Sequence, residues 1–375
     1  MKLSKLVSHI LPVSVLMLLL AGCASDSPAQ PEDSGKIRAV ATIFPQYDFL
    51  RQIGGEHLEL TMLLKPGAES HSFEPTPADM IAVSDSDLFV YVGGDSDAWV
   101  ETILESVDTS GKEIVTLMDC VETVAEEDVE GMETHGHAHD HEEEAETATG
   151  KNPDAQQDET AHGQQDETDG GPDESGGSMA PGQSSGGLSE SGGHHHHEDA
   201  EQDEHVWTSP QNAIRIVEKL RDALTAIDPD HAADYTKNAE AYMEKLERLD
   251  GEFQDTVDTA KRRTIILGER FPFRYLADAY GLDYYAAFPG CSSESEASAK
   301  TIAFLIDKVR EEEIPVVFTI ELSNEKMTDS ICEATGAKKL LLHSCHNVAK
   351  DDFEQGITYL DLMEQNVQAL KEALN

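Results

Sequence analysis

Leu58-Glu59-Leu60-Thr61-Met62-Leu63-Leu64, followed by Lys65-Pro66-Gly67-Ala68-Glu69-Ser70-His71-Ser72-Phe73-Glu74-Pro75-Thr76-Pro77-Ala78-Asp79, sets the pattern for the chain. The first seven residues are largely apolar and read as a strand. Pro66-Gly67 turns the chain, and the Pro75-x-Pro77 pair stiffens the exit. Pro77 and Asp79 stand where a helix starts, with proline in the first turn and an acid near the positive end. The unit is strand, short stiff loop, helix, with one histidine in the loop. Repeated, such units build a parallel sheet covered by helices. An imidazole held nearly still on such a loop suits a metal ligand, although one loop histidine is by itself an ordinary surface residue.

Outward from this stretch the rhythm continues. Residues 37–44 read as a strand stopped by Pro45, and 47–53 as a helix closed by Gly54-Gly55. Strands are expected at 88–92 and 113–117, with a helix at 99–107 between them. Ser209-Pro210 opens a helix that runs to about Ile227, and Pro229 breaks it. From 230 to 260 lies one amphipathic stretch, with Tyr235, Ala239, Tyr242, Leu246, Leu249 and Phe253 at steps of three or four. About thirty residues at 1.5 Å each reach roughly 45 Å, enough to join two lobes rigidly. Beyond it strands at 264–267, 283–288, 316–320 and 339–342 alternate with helices, a second α/β lobe. The expected organisation is a signal peptide at 1–22, a tether at 23–36, an N-terminal lobe at 37–228, a linking helix at 229–261 and a C-terminal lobe at 262–375.

The chain has 375 residues, of which 27 are basic and 74 acidic, a net charge of −47. That excess disfavours nucleic acid and anionic surfaces as partners and favours cations. Half of it sits at 122–204, which holds 25 acidic residues against the one base Lys151. This segment is rich in Gly, Ser and Glu and nearly free of aromatics, so it is expected to be a disordered insertion in the N-terminal lobe. Its histidines cluster: His135, His137, His139 and His141 alternate, and His194, His195, His196 and His197 form a run. Histidine is rare, so the clusters point to a flexible collector of divalent transition metals, against the plainer reading of a solvated spacer.

Lys2 and Lys5 precede an apolar run at 10–20 that ends in Leu20-Ala21-Gly22-Cys23. This reads as a signal peptide, and its end resembles a bacterial lipobox, with Cys23 the lipidated residue. The mature protein is then expected on the extracytoplasmic face of the cell membrane, held by lipid. The other cysteines, Cys120, Cys291, Cys332 and Cys345, allow three full pairings. Cys291 and Cys345 both follow C-lobe strands on the same expected side, which makes a disulfide between them the favoured pairing.

The His71 loop with its Pro-Gly turn and Pro-Thr-Pro exit, and His205-Val206-Trp207-x-Ser209-Pro210, followed by one long helix and a second lobe, resemble the metal-binding solute receptors of zinc and manganese ABC importers. Trp99, the acidic His-rich insertion before His205, and Glu321 after Val316-Val317-Phe318 match as well. The resemblance covers about 37–121 and 203–375. It implies two Rossmann-like lobes with mainly parallel sheets, joined by a rigid helix, with one metal in the interlobe cleft. It implies His71 and His205 as ligands from the N-terminal lobe. The C-terminal lobe departs from the family. Arg270 stands where a ligand is usual, with Phe273 and Tyr275 in register, and an arginine cannot ligate a cation. Glu269 beside it is the candidate replacement, and Arg270 itself would form a salt bridge, for instance with Glu321. His343 stands where an aspartate is usual, with Cys345 and His346 as spares. The expected site is His71, His205 and His343 around Zn2+, with Glu269, His346 or water in fourth place. Imidazole there suits Zn2+ better than Mn2+.

The function implied is capture of Zn2+ as cargo by a monomeric receptor and delivery to an ABC permease and its ATPase. Manganese or nickel, and a metal-dependent surface adhesin, are the alternatives. An enzyme is disfavoured, because no His-Glu-x-x-His, nucleophile elbow or phosphate-binding loop occurs.

Overall fold

The computed structural model describes residues 35–68, 73–133, 201–292 and 296–375. His71, the tract histidines and Cys23 lie outside them. Among the described residues, no helix is long and apolar enough to cross a membrane.

The N-terminal lobe is built on β1 (Ile37–Ala41), β2 (Leu58–Met62), β3 (Leu88–Tyr91) and β4 (Glu113–Thr116), in the order β2-β1-β3-β4. Every pair is parallel, with Ala39 opposite Leu60 on one side and Leu88 on the other. Its helices are α1 (Phe44–Gly54), α2 (Pro77–Asp85), α3 (Ala98–Ser106) and α4 (Pro210–Ile227). The start of α2 follows from side-chain chemistry: Thr76 caps it, and Asp79 returns the bond to the Thr76 N–H.

The long helix α5 runs Ala232–Asp258, 27 residues, or about 40 Å. It buries Tyr235, Ala239, Tyr242, Leu246, Leu249, Phe253 and Val257, each large side chain contributing about 1.5–3 kcal/mol of transfer free energy. That stripe packs on α4 and α1 and also on the last helix of the chain.

The C-terminal lobe comprises β5 (Thr264–Leu267), β6 (Arg270–Phe271), α6 (Arg274–Tyr280), β7 (Asp283–Tyr285), β8 (Phe288–Pro289), α7 (Ala299–Glu311), β9 (Val316–Thr319), α8 (Lys326–Thr335), β10 (Lys338–Leu341), α9 (Lys350–Glu354) and α10 (Tyr359–Leu374). Its main sheet, β10-β9-β5-β7, is parallel, and β6 pairs with β8 in a separate two-stranded sheet. The expected strand at 283–288 is therefore two strands. The chain leaves the main sheet at Ala286 and Ala287, where the Ala287 N–H turns to the Glu269 carbonyl at 3.0 Å.

Part of the expected acidic insertion has defined structure. Residues 122–133 and 201–204 are ordered, with an antiparallel bridge between Ala125 and Gln202. Glu133 accepts from the Ser298 N–H and the Thr301 hydroxyl at the start of α7. Glu126 accepts from the Cys291 N–H at 2.8 Å. Acids that read as solvated linker are capping groups for the C-terminal lobe.

The expected disulfide is absent: all four described cysteines are free. Cys345 is fully buried and donates to the His343 carbonyl. The Cys291 backbone N–H is held by Glu126, at the edge of the acidic segment.

The lobes meet through buried polar groups as well as apolar ones. Asp48, on α1 and fully buried, accepts from the Arg51 guanidinium and from the Tyr359 N–H that opens α10, at 2.5 and 2.7 Å. Replacing Asp48 with Ala strands the buried Tyr359 N–H and removes the carboxylate that pairs with Arg51 and Gln52. The expected loss is about 3 kcal/mol, read as a lower urea midpoint with an unchanged slope.

Candidate metal centre

The carboxyl ends of β1, β2, β5, β9 and β10 point into one cleft, the position where open α/β sheets collect ligands. Ala68, His205, Arg270, Pro272, Gly290, Ile320, Glu321, Ser344, His346 and Asn347 line a cavity of about 30 Å3 there. That is room for a water or one ion.

His205 is buried. It precedes a single 3-10 turn, Val206–Thr208, that leads into α4. Its backbone N–H and its Nδ1 both meet Asp203 Oδ1, at 2.8 and 3.2 Å. A carboxylate behind a histidine fixes the ring and raises its basicity, a common support for a metal ligand. Burial works against the charged imidazole, and Asp203, Glu204 and Glu126 together outweigh it, so His205 keeps its proton to higher pH than usual.

His346 faces His205 across the cleft. Their ring centroids are 5.7 Å apart at 75°, and both rings pack on Trp207, at 5.4 and 5.2 Å. The Trp207 indole N–H donates to the Ser344 carbonyl at 2.8 Å, and the Tyr359 hydroxyl donates to the Trp207 carbonyl. Glu321 accepts from the backbone N–H groups of Ser344 and His346 and so holds the loop that carries His346.

Two expected C-lobe ligands lie elsewhere. His343 is turned inward: its Nδ1 accepts from the Cys345 N–H at 2.9 Å, and it does not line the cavity. The reversal at Cys345, with φ of +62°, brings the next residue, His346, to the cleft in its place. Glu269 is buried and accepts from Ser323 Oγ, Thr319 Oγ1 and the Ile320 N–H, so its carboxylate serves the C-terminal lobe. Burial pushes its pKa up. Arg270 does line the cavity, and its Nη1 donates to the Ser292 carbonyl at 3.1 Å.

His71 lies outside the described residues. The described residues on either side of it flank this site. Ala68 lines the cavity, and Phe73 lines an adjoining apolar pocket, walled by Trp207, that shares His346 with it. The same pocket holds two buried acids. Asp97 accepts from the Val92 and Gly93 N–H groups, and burial raises its pKa to about 6. Glu204 accepts from the Ser96 N–H, and burial raises its pKa too. Gly94, at φ +81°, leaves room for the Glu204 carboxylate, which any Cβ there would strike.

Asp203 was the legible omission: an acid two residues before a candidate ligand is a recognisable support pattern. Nothing in the local sequence marks Asp97 or Asn347.

The chain is 29% identical to the zinc-binding lipoprotein AdcA of Streptococcus pneumoniae over 97% of its own length, but spans only 60% of that relative. It is 28% identical to the high-affinity zinc uptake system protein ZnuA of Bacillus subtilis, over 98% of this chain and 97% of the other. Among solved structures, the Zn(II)-bound ZnuA-like domain of S. pneumoniae AdcA superposes with a TM-score of 0.62 at 25% identity, covering 91% of this chain and 99% of that one. The metal-dependent lipoprotein YcdH of B. subtilis gives 0.64 at 25% identity, over 90% and 99%. With two parallel-sheet lobes around a long helix, and a family model matched across residues 39–373, the chain belongs to the family of zinc-uptake complex component A, periplasmic (ZnuA).

Proposed function

We propose that this protein is the extracytoplasmic receptor of an ABC importer, which captures Zn2+ between its lobes and delivers it to a membrane permease driven by an ATPase. The observation that carries the reading is the pair His205 and His346, from different lobes, facing each other across an ion-sized cavity. The zinc named in the relatives supports the choice of cargo. His71 completes the set, with water or a further donor in fourth place, at about 2.0–2.1 Å for Zn–N. An imidazole-rich set selects Zn2+ over Mn2+. The receptor is anchored through lipid at Cys23 and acts as a monomer. The histidines of the acidic tract gather metal weakly before it reaches the tight site.

Replacing His71 and His205 together by Ala should abolish tight, stoichiometric zinc binding in a chelator competition. An unchanged dissociation constant would end the proposal. Asp203→Asn keeps the shape but weakens the support behind His205, and should cost about 10–100-fold in zinc affinity. The elevated pKa of His205 sets the pH response. Zinc must displace that proton, so below the pKa affinity should fall at least about tenfold per pH unit. Above it the contribution of this group should flatten, and His205→Ala should remove this component from a titration of affinity against pH.

A further inference from the structure

One group beside the cleft has no part in the receptor reading: the thiol of Cys291. Cys291 Sγ, a carboxylate oxygen of Asp203 and a ring nitrogen of His205 all lie within 4.8 Å of one another. We propose that Cys291 is a sulfur ligand of the cation held at His205, making this a mixed sulfur–nitrogen centre. The proposal rests on the receptor reading for His205 and goes beyond it in ligand chemistry and cation class.

The loop after β8 brings the thiol there. Gly290 lets the backbone come close: a Cβ at this position would sit 3.3 Å from His205 Cε1 and 3.1 Å from Asp203 Oδ2. Cε1 lies between the two ring nitrogens, so the loop meets the ring at its nitrogen-bearing edge. The loop is then fixed from both directions. Glu126 holds the Cys291 N–H, and Arg270 holds the Ser292 carbonyl. Cys291 itself is only partly exposed.

Asp203, Glu126 and Glu204 surround the thiol with negative charge, which attracts a divalent cation. On coordination the thiol proton passes to solvent, and the thiolate, with the Asp203 carboxylate behind His205, offsets the two charges of the ion. No electron is transferred. A centre with sulfur favours soft or borderline cations such as Zn2+ and Cd2+ and discriminates against Mn2+.

Cobalt(II) reports the ligand directly, because a Co–S bond adds a near-ultraviolet charge-transfer band that nitrogen and oxygen ligands lack. The test is one equivalent of Co2+ added to the full chain. The acidic tract cannot imitate the signal, since no cysteine lies between Cys120 and Cys291. The expected result is a charge-transfer band in the wild type that is lost in both Cys291→Ser and Cys291→Ala and retained in Cys332→Ser. Zinc should displace the cobalt and erase the band. A wild type that shows visible cobalt absorption dependent on His205, but no charge-transfer band, overturns the proposal and leaves the receptor reading standing. A band that survives Cys291→Ser also overturns it. Absorption indifferent to His205→Ala sinks both.

Discussion

One loop, His343 to Val348, is gripped by both lobes, and the cleft depends on it. From the N-terminal side, the Trp207 indole donates to the Ser344 carbonyl, Phe44 N–H to the His346 carbonyl, and Gly67 N–H to the Val348 carbonyl. Asn347 donates in turn to the carbonyls of Lys65 and Ala68, at the start of the loop that carries His71. From the C-terminal side, Glu321 and Asn366 hold Ser344, His346 and His343. Each such bond is worth about 1 kcal/mol net, but a buried partner left unmade costs more. Wide opening of the cleft would break most of them together, and α5, packed on helices of both lobes, resists the same motion. A cleft tied in this way resists wide opening.

Much of the architecture was readable because it follows from periodicity. The β/α alternation, the start of α2 at Thr76 to Asp79 and the long stripe of α5 are local patterns, and the structure keeps them within a few residues. The C-lobe half of the site was not readable, for a geometric reason. His343, Cys345 and His346 lie within four residues, and a single backbone reversal decides which of them reaches the cleft. Cys345 takes φ of +62° without a glycine to announce it. At the next strand end the step is smaller still: Glu269 points into the lobe while Arg270 reaches the cavity. Composition misled at residues 122–133, where acids typical of a disordered tract find specific N–H and hydroxyl donors on another part of the chain.

The electrostatics of the centre are more acidic than its lining suggests. Behind the imidazole of His205 stand Asp203, Glu204 and Glu126, and Asp97 is buried nearby. Arg270 contributes a fixed cation to the wall. Arg270 stands in the cavity wall at the position where the resemblance leads one to expect a ligand, and holds the Ser292 carbonyl.

The bridge between Ala125 and Gln202 has an evolutionary consequence. It brings Ala125 and Gln202 side by side, near the two ends of the acidic segment. Closing a flexible connection grows costlier only slowly, about 0.6 kcal/mol for each doubling in length. A gain or loss of repeats such as Gln156-Gln157-Asp158-Glu159-Thr160 and its copy at Gln164-Gln165-Asp166-Glu167-Thr168 changes the length of chain between those ends. Descendants of this gene are free to vary the number of histidines they display while inheriting the same scaffold.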